Sequence, residues 1–179
     1  LPVQLEIGRP PILLVDDDGG AFYETFYTAS FNSLNLLVDV WDEADSTIPV
    51  VELNQYQIAV WETGNATSTL SPTEQIHAQT FLENGGKLLF SSKNAGADIG
   101  GTSFYSNYLH AEFIADSLAG VIKAYGVDGC PFSHYSDSLY FVGSGGAGNF
   151  QSLDVIRALN EAEEAYVYGD VNASTGGIY

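Results

Sequence analysis

The sequence predicts an α/β domain with a mostly parallel sheet that is covered by helices on both faces. Three observations lead to this prediction. The continuous apolar run at residues 12–15 is typical of a strand buried on both faces, as in parallel sheets. Ser71, Pro72 and Glu74 have the spacing of a capping box with proline in the first helical turn. Predicted strands and helices alternate through the first half of the chain, which favours right-handed crossovers.

The individual elements follow from local patterns. Residues 1–10 are expected to form an irregular leader, and residues 12–15 form the first strand. Apolar and aromatic side chains spaced by three and four positions predict an amphipathic helix over residues 22–34. The helix that begins at Ser71 is expected to stop at residues 84–86, where glycine favours a left-handed turn. Apolar runs bounded by polar turns predict the next strands, which are residues 36–41, 56–61 and 87–92.

The pattern changes beyond Asp116. Glycine-rich loops separate short apolar stretches there, and these stretches predict strands at residues 118–125, 138–142 and 165–168. Residues 104–114 and 153–159 are expected to be helical in part. The length of 179 residues suits one domain, which we place over residues 11–179.

Charge excludes several classes of partner. The chain has 23 Asp and Glu residues against five Lys and Arg, a formal net charge of −18. Five cations cannot neutralise a run of phosphates, so nucleic acid is not an expected partner, and neither is an anionic membrane surface. No apolar run reaches the length of about 18 residues needed for membrane insertion. The hydrophobic fraction of 45% nevertheless predicts a folded core.

Composition favours an extracellular or cell-surface setting. Cys130 is the sole cysteine, so no internal disulfide can form, and we interpret it as a buried small side chain. The sequence starts at Leu1 and contains no methionine, which is typical of a processed or trimmed segment. Asn65 and Asn172 begin acceptor sequons for glycosylation.

Three consecutive carboxylates follow the first predicted strand. Because successive residues of an extended chain point to opposite faces, Asp16 and Asp18 can converge while Asp17 diverges, and Glu24 lies one turn into the next helix. Three roles are compatible with this loop: helix capping and turn formation, binding of a hard cation such as Ca²⁺, and a catalytic carboxylate.

A calcium ion would require further oxygen ligands. It takes about six to eight, so the loops after the third and fourth strands would have to contribute. The metal set expected from the sequence is Asp16, Asp18, Glu24 and Asp98. The spacing is not that of an EF-hand. Other donors available in those loops are Glu62, Asn65 and Asn94.

The turn after the fourth strand, residues 91–96, is where α/β hydrolases and amidotransferases carry their nucleophile. No Gly-x-Ser-x-Gly or Gly-x-Cys-x-Gly motif occurs there, and Cys130 comes much later in the chain. Ser92 paired with His110 or His134 is the alternative catalytic arrangement, against a purely structural loop. No His has a second His at a metal-ligand spacing, so zinc is not expected, and the glycine-rich residues 143–148 are interpreted as a turn.

Several longer motifs, taken together, resemble one known family. They are ILLVDDDGG at residues 12–20, VDVWD at 38–42, VWETG at 60–64, LENGGKL at 82–88 and DIGGTSFYSNYLHA at 98–111. In this order they resemble class I glutamine amidotransferase-like domains of secreted bacterial and archaeal proteins, often attached to subtilisin-like peptidases. The resemblance implies a flavodoxin-like three-layer sandwich.

The resemblance also implies an accessory role. True amidotransferases carry a cysteine in the turn that here reads Ser92 to Gly96, so the expected function is a non-catalytic extracellular binding or assembly module. Its partners would be other domains or chains of a secreted assembly. Similar domains continue through another strand and a closing helix, so we expect an incomplete sheet end that can support self-association. The alternative is a hydrolase or peptidase-associated enzyme that uses Ser92 and His110 with carboxylates of the first loop.

Overall fold

The chain forms two compact units in the structure, which is a computed structural model. The structure describes residues 8–116, 120–131, 138–142, 152–169 and 174–179. The first unit comprises residues 1–66 and 71–92, and the second comprises residues 67–70 and 93–179. The single domain over residues 11–179 stays a prediction. Expectations for most of the leader, for His134, for residues 143–148 and for Asn172 lie outside the described residues.

The first unit is a parallel sheet with connecting helices. Its strands have the order β2-β1-β3-β4, and all three pairings are parallel. This arrangement confirms the predicted α/β class with a mostly parallel sheet. The elements in chain order are β1 (Ile12–Asp16), α1 (Glu24–Ser33), β2 (Val38–Asp42), α2 (Val50–Leu53), β3 (Ile58–Gly64), α3 (Pro72–Glu83) and β4 (Lys87–Ser92).

The centre of this sheet is buried. Strand β1 lies between β2 and β3, and its side chains point alternately to the two faces of the sheet. Leu13, Leu14 and Val15 are at most 1% exposed. On one face, Leu14 packs in a cluster that includes Tyr27 and Phe31 of α1. The continuous apolar run therefore has the physical cause that the sequence pattern indicated, namely burial on both faces.

Helix α3 begins as predicted. Ser71 Oγ accepts a hydrogen bond from the Glu74 N–H at 3.3 Å, and Glu74 Oε2 accepts one from the Ser71 N–H at 2.6 Å. These reciprocal bonds satisfy amides that the first helical turn leaves without partners. The predicted stop is also correct, since α3 ends at Glu83 and Gly85 adopts a φ of 89°.

The second strand begins later than predicted. Leu36 and Leu37 are exposed and precede β2, because α1 extends to Ser33 and the chain then turns at Asn35, which has a φ of 55°. The Leu36 N–H donates to the Phe31 carbonyl, so Leu36 still closes the helix end. Apolar character alone could not separate this connector from the strand.

The second unit contains short helices and antiparallel sheets. Its elements are α4 (Ala95–Ile99), α5 (Ser103–Asn107), β5 (Ala111–Ala115), β6 (Lys123–Gly126), β7 (Leu139–Tyr140), β8 (Val155–Ala158), β9 (Glu164–Tyr168) and β10 (Thr175–Ile178). One sheet has the order β10-β9-β6-β7, and β5 pairs with β8 in a second. Within the described ranges, no helix has both the length and the apolar character needed to cross a bilayer.

One expectation for the second unit was wrong and one was correct. Residues 153–159 are not helical, because Val155–Ala158 is a strand that pairs antiparallel with β5. Residues 104–114 are helical in part, as expected, since their first part lies in α5, and the strand β5 that follows was not expected. Short apolar runs fit either periodicity, and in both places the pairing partner lies far along the chain.

Candidate functional site

Four carboxylates meet at the carboxyl edge of the parallel sheet. Asp16 at the end of β1 pairs in register with Glu62 of β3, so their side chains leave the same face. The loop after β1 contributes Asp18, and the first residue of α1 contributes Glu24. One carboxylate oxygen from each of the four residues lies within 4.8 Å of the others. We call this group the acidic cluster.

Asp18 is held in place by the backbone around it. Its Oδ1 accepts a hydrogen bond from the Gly20 N–H at 2.9 Å, and its Oδ2 accepts one from the Tyr23 N–H at 3.0 Å. Gly19 and Gly20 have φ values of 75° and 86°, a region that glycine enters without strain. The two glycines thus let the loop turn back over the sheet edge, which fixes Asp18 inside the acidic cluster.

Glu62 and Glu24 contribute oxygens that the protein itself does not satisfy. Glu62 is fully buried, at 0% exposure, and neither of its carboxylate oxygens accepts a well-formed hydrogen bond, although the Gly64 amide opposes the rise in its pKa. Oε2 of Glu24 is also buried and without a hydrogen bond. Burial and the neighbouring charges of Asp18 and Asp16 raise the pKa of Glu62 to about 8. Burial, followed by the charge of Asp18, raises the pKa of Asp16 to about 6.

Asp17 belongs to a separate group of acids in the first unit. Its Oδ2 accepts a hydrogen bond from Trp61 Nε1 at 3.1 Å, and burial raises its pKa to about 7. Oε1 of Glu43 accepts a hydrogen bond from the Ile48 N–H at 2.9 Å. Burial, together with the nearby charge of Glu74, raises the pKa of Glu43 to about 7. Alternation along β1 therefore sends Asp16 and Asp17 into different acidic environments.

The structure changes the membership of the metal set predicted from the sequence. It brings Asp16, Asp18 and Glu24 together, but the fourth member is Glu62 and Asp98 is not in the group. Oδ2 of Asp98 instead accepts hydrogen bonds from Thr69, from its N–H at 2.7 Å and its hydroxyl at 3.0 Å. Glu62 was named from the sequence only as one of several available donors, and the register that places it opposite Asp16 selects it.

The turn that would carry a nucleophile leads into α4, whose first amides are already occupied. The Gly96 N–H donates to Oδ2 of Asp154 at 2.7 Å, and the Ala97 N–H also interacts with this carboxylate. Burial raises the pKa of Asp154, and these two amides oppose the rise. The Asp154 carboxylate therefore occupies the amides at the start of α4.

The residues of the alternative catalytic arrangement have other partners. Ser92, in the first unit, accepts a hydrogen bond from the Thr63 hydroxyl at 2.8 Å. His110, in the second unit, is exposed, and its Nδ1 lies 3.0 Å from Nδ2 of Asn160. Cys130 is buried, and its N–H donates to the Val127 carbonyl in the second unit.

Backbone geometry in residues 92–96 is unstrained. Outside glycine, positive φ occurs among the described residues only at Asn35, His110 and Asn160. Nucleophile elbows, in contrast, hold the reactive residue on a sharp, strained turn between strand and helix. The turn before α4 thus lacks both the reactive cysteine and the backbone strain of such an elbow.

Comparison with known proteins supports the fold. No protein-family model and no curated protein sequence matches the chain. Among solved structures, a Thermoplasma acidophilum protein assigned as part of GMP synthase is similar over 97% of this chain and 79% of its own, with a TM-score of 0.58 and 11% identity. The mmIFT52 N-terminal domain is similar over 87% of this chain and 72% of its own, with a TM-score of 0.55 and 13% identity. The chain therefore shares its α/β fold with these two proteins.

Proposed function

We propose that this chain is a non-catalytic extracellular module that serves binding or assembly within a secreted multidomain or peptidase-linked protein. The observation that carries the proposal is the carboxylate of Asp154 on the first amides of α4. Acyl-transfer enzymes bind the oxyanion of the tetrahedral intermediate partly through the backbone amide of the residue after the nucleophile. For Ser92 that residue is Lys93, three positions before Gly96. A carboxylate held at the start of α4, directly after this turn, would disfavour negative charge developing nearby, which argues against amide hydrolysis at this turn.

Exposed apolar side chains of the first unit support a role in association. Helix α1 contains no buried residue, and Phe26 on this helix is 63% exposed. Val40 of β2 and Leu89 of β4 are each 49% exposed. Large exposed apolar groups on a small protein are typical of surfaces that contact a partner. We propose a second copy of this chain as the simplest occupant of this surface.

An extracellular setting agrees with the position of one glycosylation sequon. Asn65, which begins an acceptor sequon, is exposed just after β3, as a glycan site must be. The net charge of −18 provides strong repulsion between copies, so any association has to be directed by a local apolar contact.

The catalytic half of the proposal is tested by hydrolysis assays. We expect the purified chain to hydrolyse glutamine, chromogenic acyl esters and a mixed peptide library no faster than buffer. Ser92→Ala and His110→Ala should give the same background rate, because neither side chain is part of a working reaction centre. A parent activity that falls about a hundredfold in either variant would instead establish the alternative, a hydrolase.

The assembly half is tested by sedimentation velocity across the micromolar range. We expect the parent to self-associate, and Phe26→Lys to weaken the association about tenfold or more by placing a charge in an apolar contact. Thr25→Lys is the matched control, since Thr25 is an exposed neighbour in α1 and the charge change is equal. A parent that remains monomeric throughout, or equal losses in both variants, contradicts a self-association surface on α1.

A further inference from the structure

We propose that the acidic cluster of Asp16, Asp18, Glu24 and Glu62 is a binding site for a divalent calcium ion. The first argument is geometric. Calcium binds oxygen ligands at about 2.3–2.6 Å, so two ligands on opposite sides of one ion lie about 4.6–5.2 Å apart. The four carboxylate oxygens lie within 4.8 Å of one another, which matches that span.

The second argument is the state of Glu62. Its side chain is fully buried, it points into the cluster, and neither oxygen accepts a well-formed hydrogen bond. A buried carboxylate without donors is strongly unfavourable unless it is protonated or bound to a cation. Oε2 of Glu24 is likewise buried and accepts no hydrogen bond. The cluster thus contains oxygens whose missing partner a metal ion would supply.

The third argument is that neither basic residue of the first unit lies at this edge, while Lys93, which follows β4 and belongs to the second unit, acts on Asp154 of that unit. Arg9 and Lys87 are the basic residues of that unit. Arg9 precedes β1 and pairs with Glu52, and Lys87 is the first residue of β4, so both lie at the amino edge of the parallel sheet. No basic side chain of the described first unit can therefore neutralise the four carboxylates.

The donor set selects among metal ions. All four ligands are hard carboxylate oxygens, which favours calcium or magnesium over zinc. Magnesium binds at about 2.0–2.1 Å, so its opposite ligands lie only about 4.2 Å apart, and it tolerates little distortion. An upper limit of 4.8 Å between the oxygens accommodates calcium, which also tolerates the irregular geometry of carboxylates from a strand end, a loop and a helix, with waters or loop carbonyls completing the coordination. This inference is independent of whether the chain is catalytic, since its readout is metal binding and not turnover.

The test is calcium titration of the whole 179-residue chain, stripped with chelator and followed by calorimetry at constant ionic strength. We expect one site with a dissociation constant of about 10⁻⁴–10⁻³ M, as in extracellular calcium modules. Calcium should also raise the melting temperature of the parent. Asp18→Asn and Glu62→Gln should each weaken binding about tenfold or more. Glu83→Gln, an exposed change of equal charge at the end of α3, should leave binding unchanged.

Glu62→Gln shows whether a loss of calcium binding is due to a missing ligand or to an unfolded protein. The neutral amide occupies this buried position without any cost of ionisation, so in chelator this variant should melt no lower than the parent, while its calcium-induced shift disappears. The proposal is overturned if the parent binds no calcium at millimolar concentration, or if both cluster variants bind it within twofold of the parent. Equal weakening by Glu83→Gln, which would indicate a diffuse counterion effect, also overturns it. Magnesium binding as tightly as calcium would overturn the assignment to calcium.

Discussion

Replacing Gly64 with alanine is expected to lower the free energy of unfolding by about 3 kcal/mol. Gly64 ends β3 with a φ of 48°, and a Cβ atom there would lie 2.3 Å from Cδ2 of Tyr23. The ring would have to move, yet the Tyr23 N–H donates to Asp18 of the acidic cluster. The loss of stability can be measured by urea unfolding monitored through tryptophan fluorescence.

Gly85→Ala is the control for the backbone alone. Gly85 has a φ of 89°, but a Cβ atom there would meet nothing within 4 Å. We therefore expect about 1 kcal/mol for Gly85→Ala. Adding Tyr23→Ala to Gly64→Ala should remove the steric part of the loss, so that the two changes are not additive. Equal losses for the two glycine variants would show that contact with Tyr23 does not matter.

Stability measured in chelator is expected to fall as the pH rises from about 5 to about 8.5. Burial raises the pKa values of Asp17 and Glu43 to about 7 and that of Glu62 to about 8, against about 4 in the unfolded chain. The native state thus binds more protons over this range, and its stability declines with rising pH. The stability due to these protonated groups is fully present below about pH 4 and is lost through pH 7–8, on the order of 5 kcal/mol in total.

Glu43→Gln isolates one of these groups away from the acidic cluster. The amide oxygen can still accept the Ile48 N–H, and the amide nitrogen can donate to Glu74, with which Glu43 interacts in the parent. At pH 8 we expect this variant to be more stable than the parent by roughly 2 kcal/mol, after allowance for partial solvent exposure. Its urea midpoint should also change less with pH. A parent whose stability rises from pH 5 to pH 8 would contradict the raised pKa of Glu43.

Local rules in the sequence were sufficient for the parallel sheet. The apolar run in β1 and the capping box at Ser71 each reflect interactions within a few residues or burial on both faces, so their signals are strong. Strand β4 was predicted with its observed bounds, Lys87–Ser92. In the second unit the strands are short, and the predicted strand at residues 165–168 matches β9, whereas β5 and β8, which pair with each other across a long stretch of sequence, were not recognised as strands from local periodicity.

The candidate site was predictable in part for the same reason. Asp16, Asp18 and Glu24 follow from one strand, its loop and the next helix, and the structure brings them together. The place of Glu62 depends on the register between β1 and β3, which no local pattern encodes. Asp154 reaches Gly96 across 58 positions in sequence, so its contact with α4 had no signal in the sequence at all.

The contact between Asp154 and the Gly96 N–H determines the order in which a catalytic site could be engineered into this chain. A thiol could be grafted into the turn, for example by Lys93→Cys, but the graft would face a resident negative charge at the start of the following helix. Asp154 would have to be removed first, and Gly96 and Ala97 would then need new acceptors until a substrate arrived. To convert this chain into a hydrolase, the Asp154 carboxylate would thus have to be removed before a catalytic thiol is introduced.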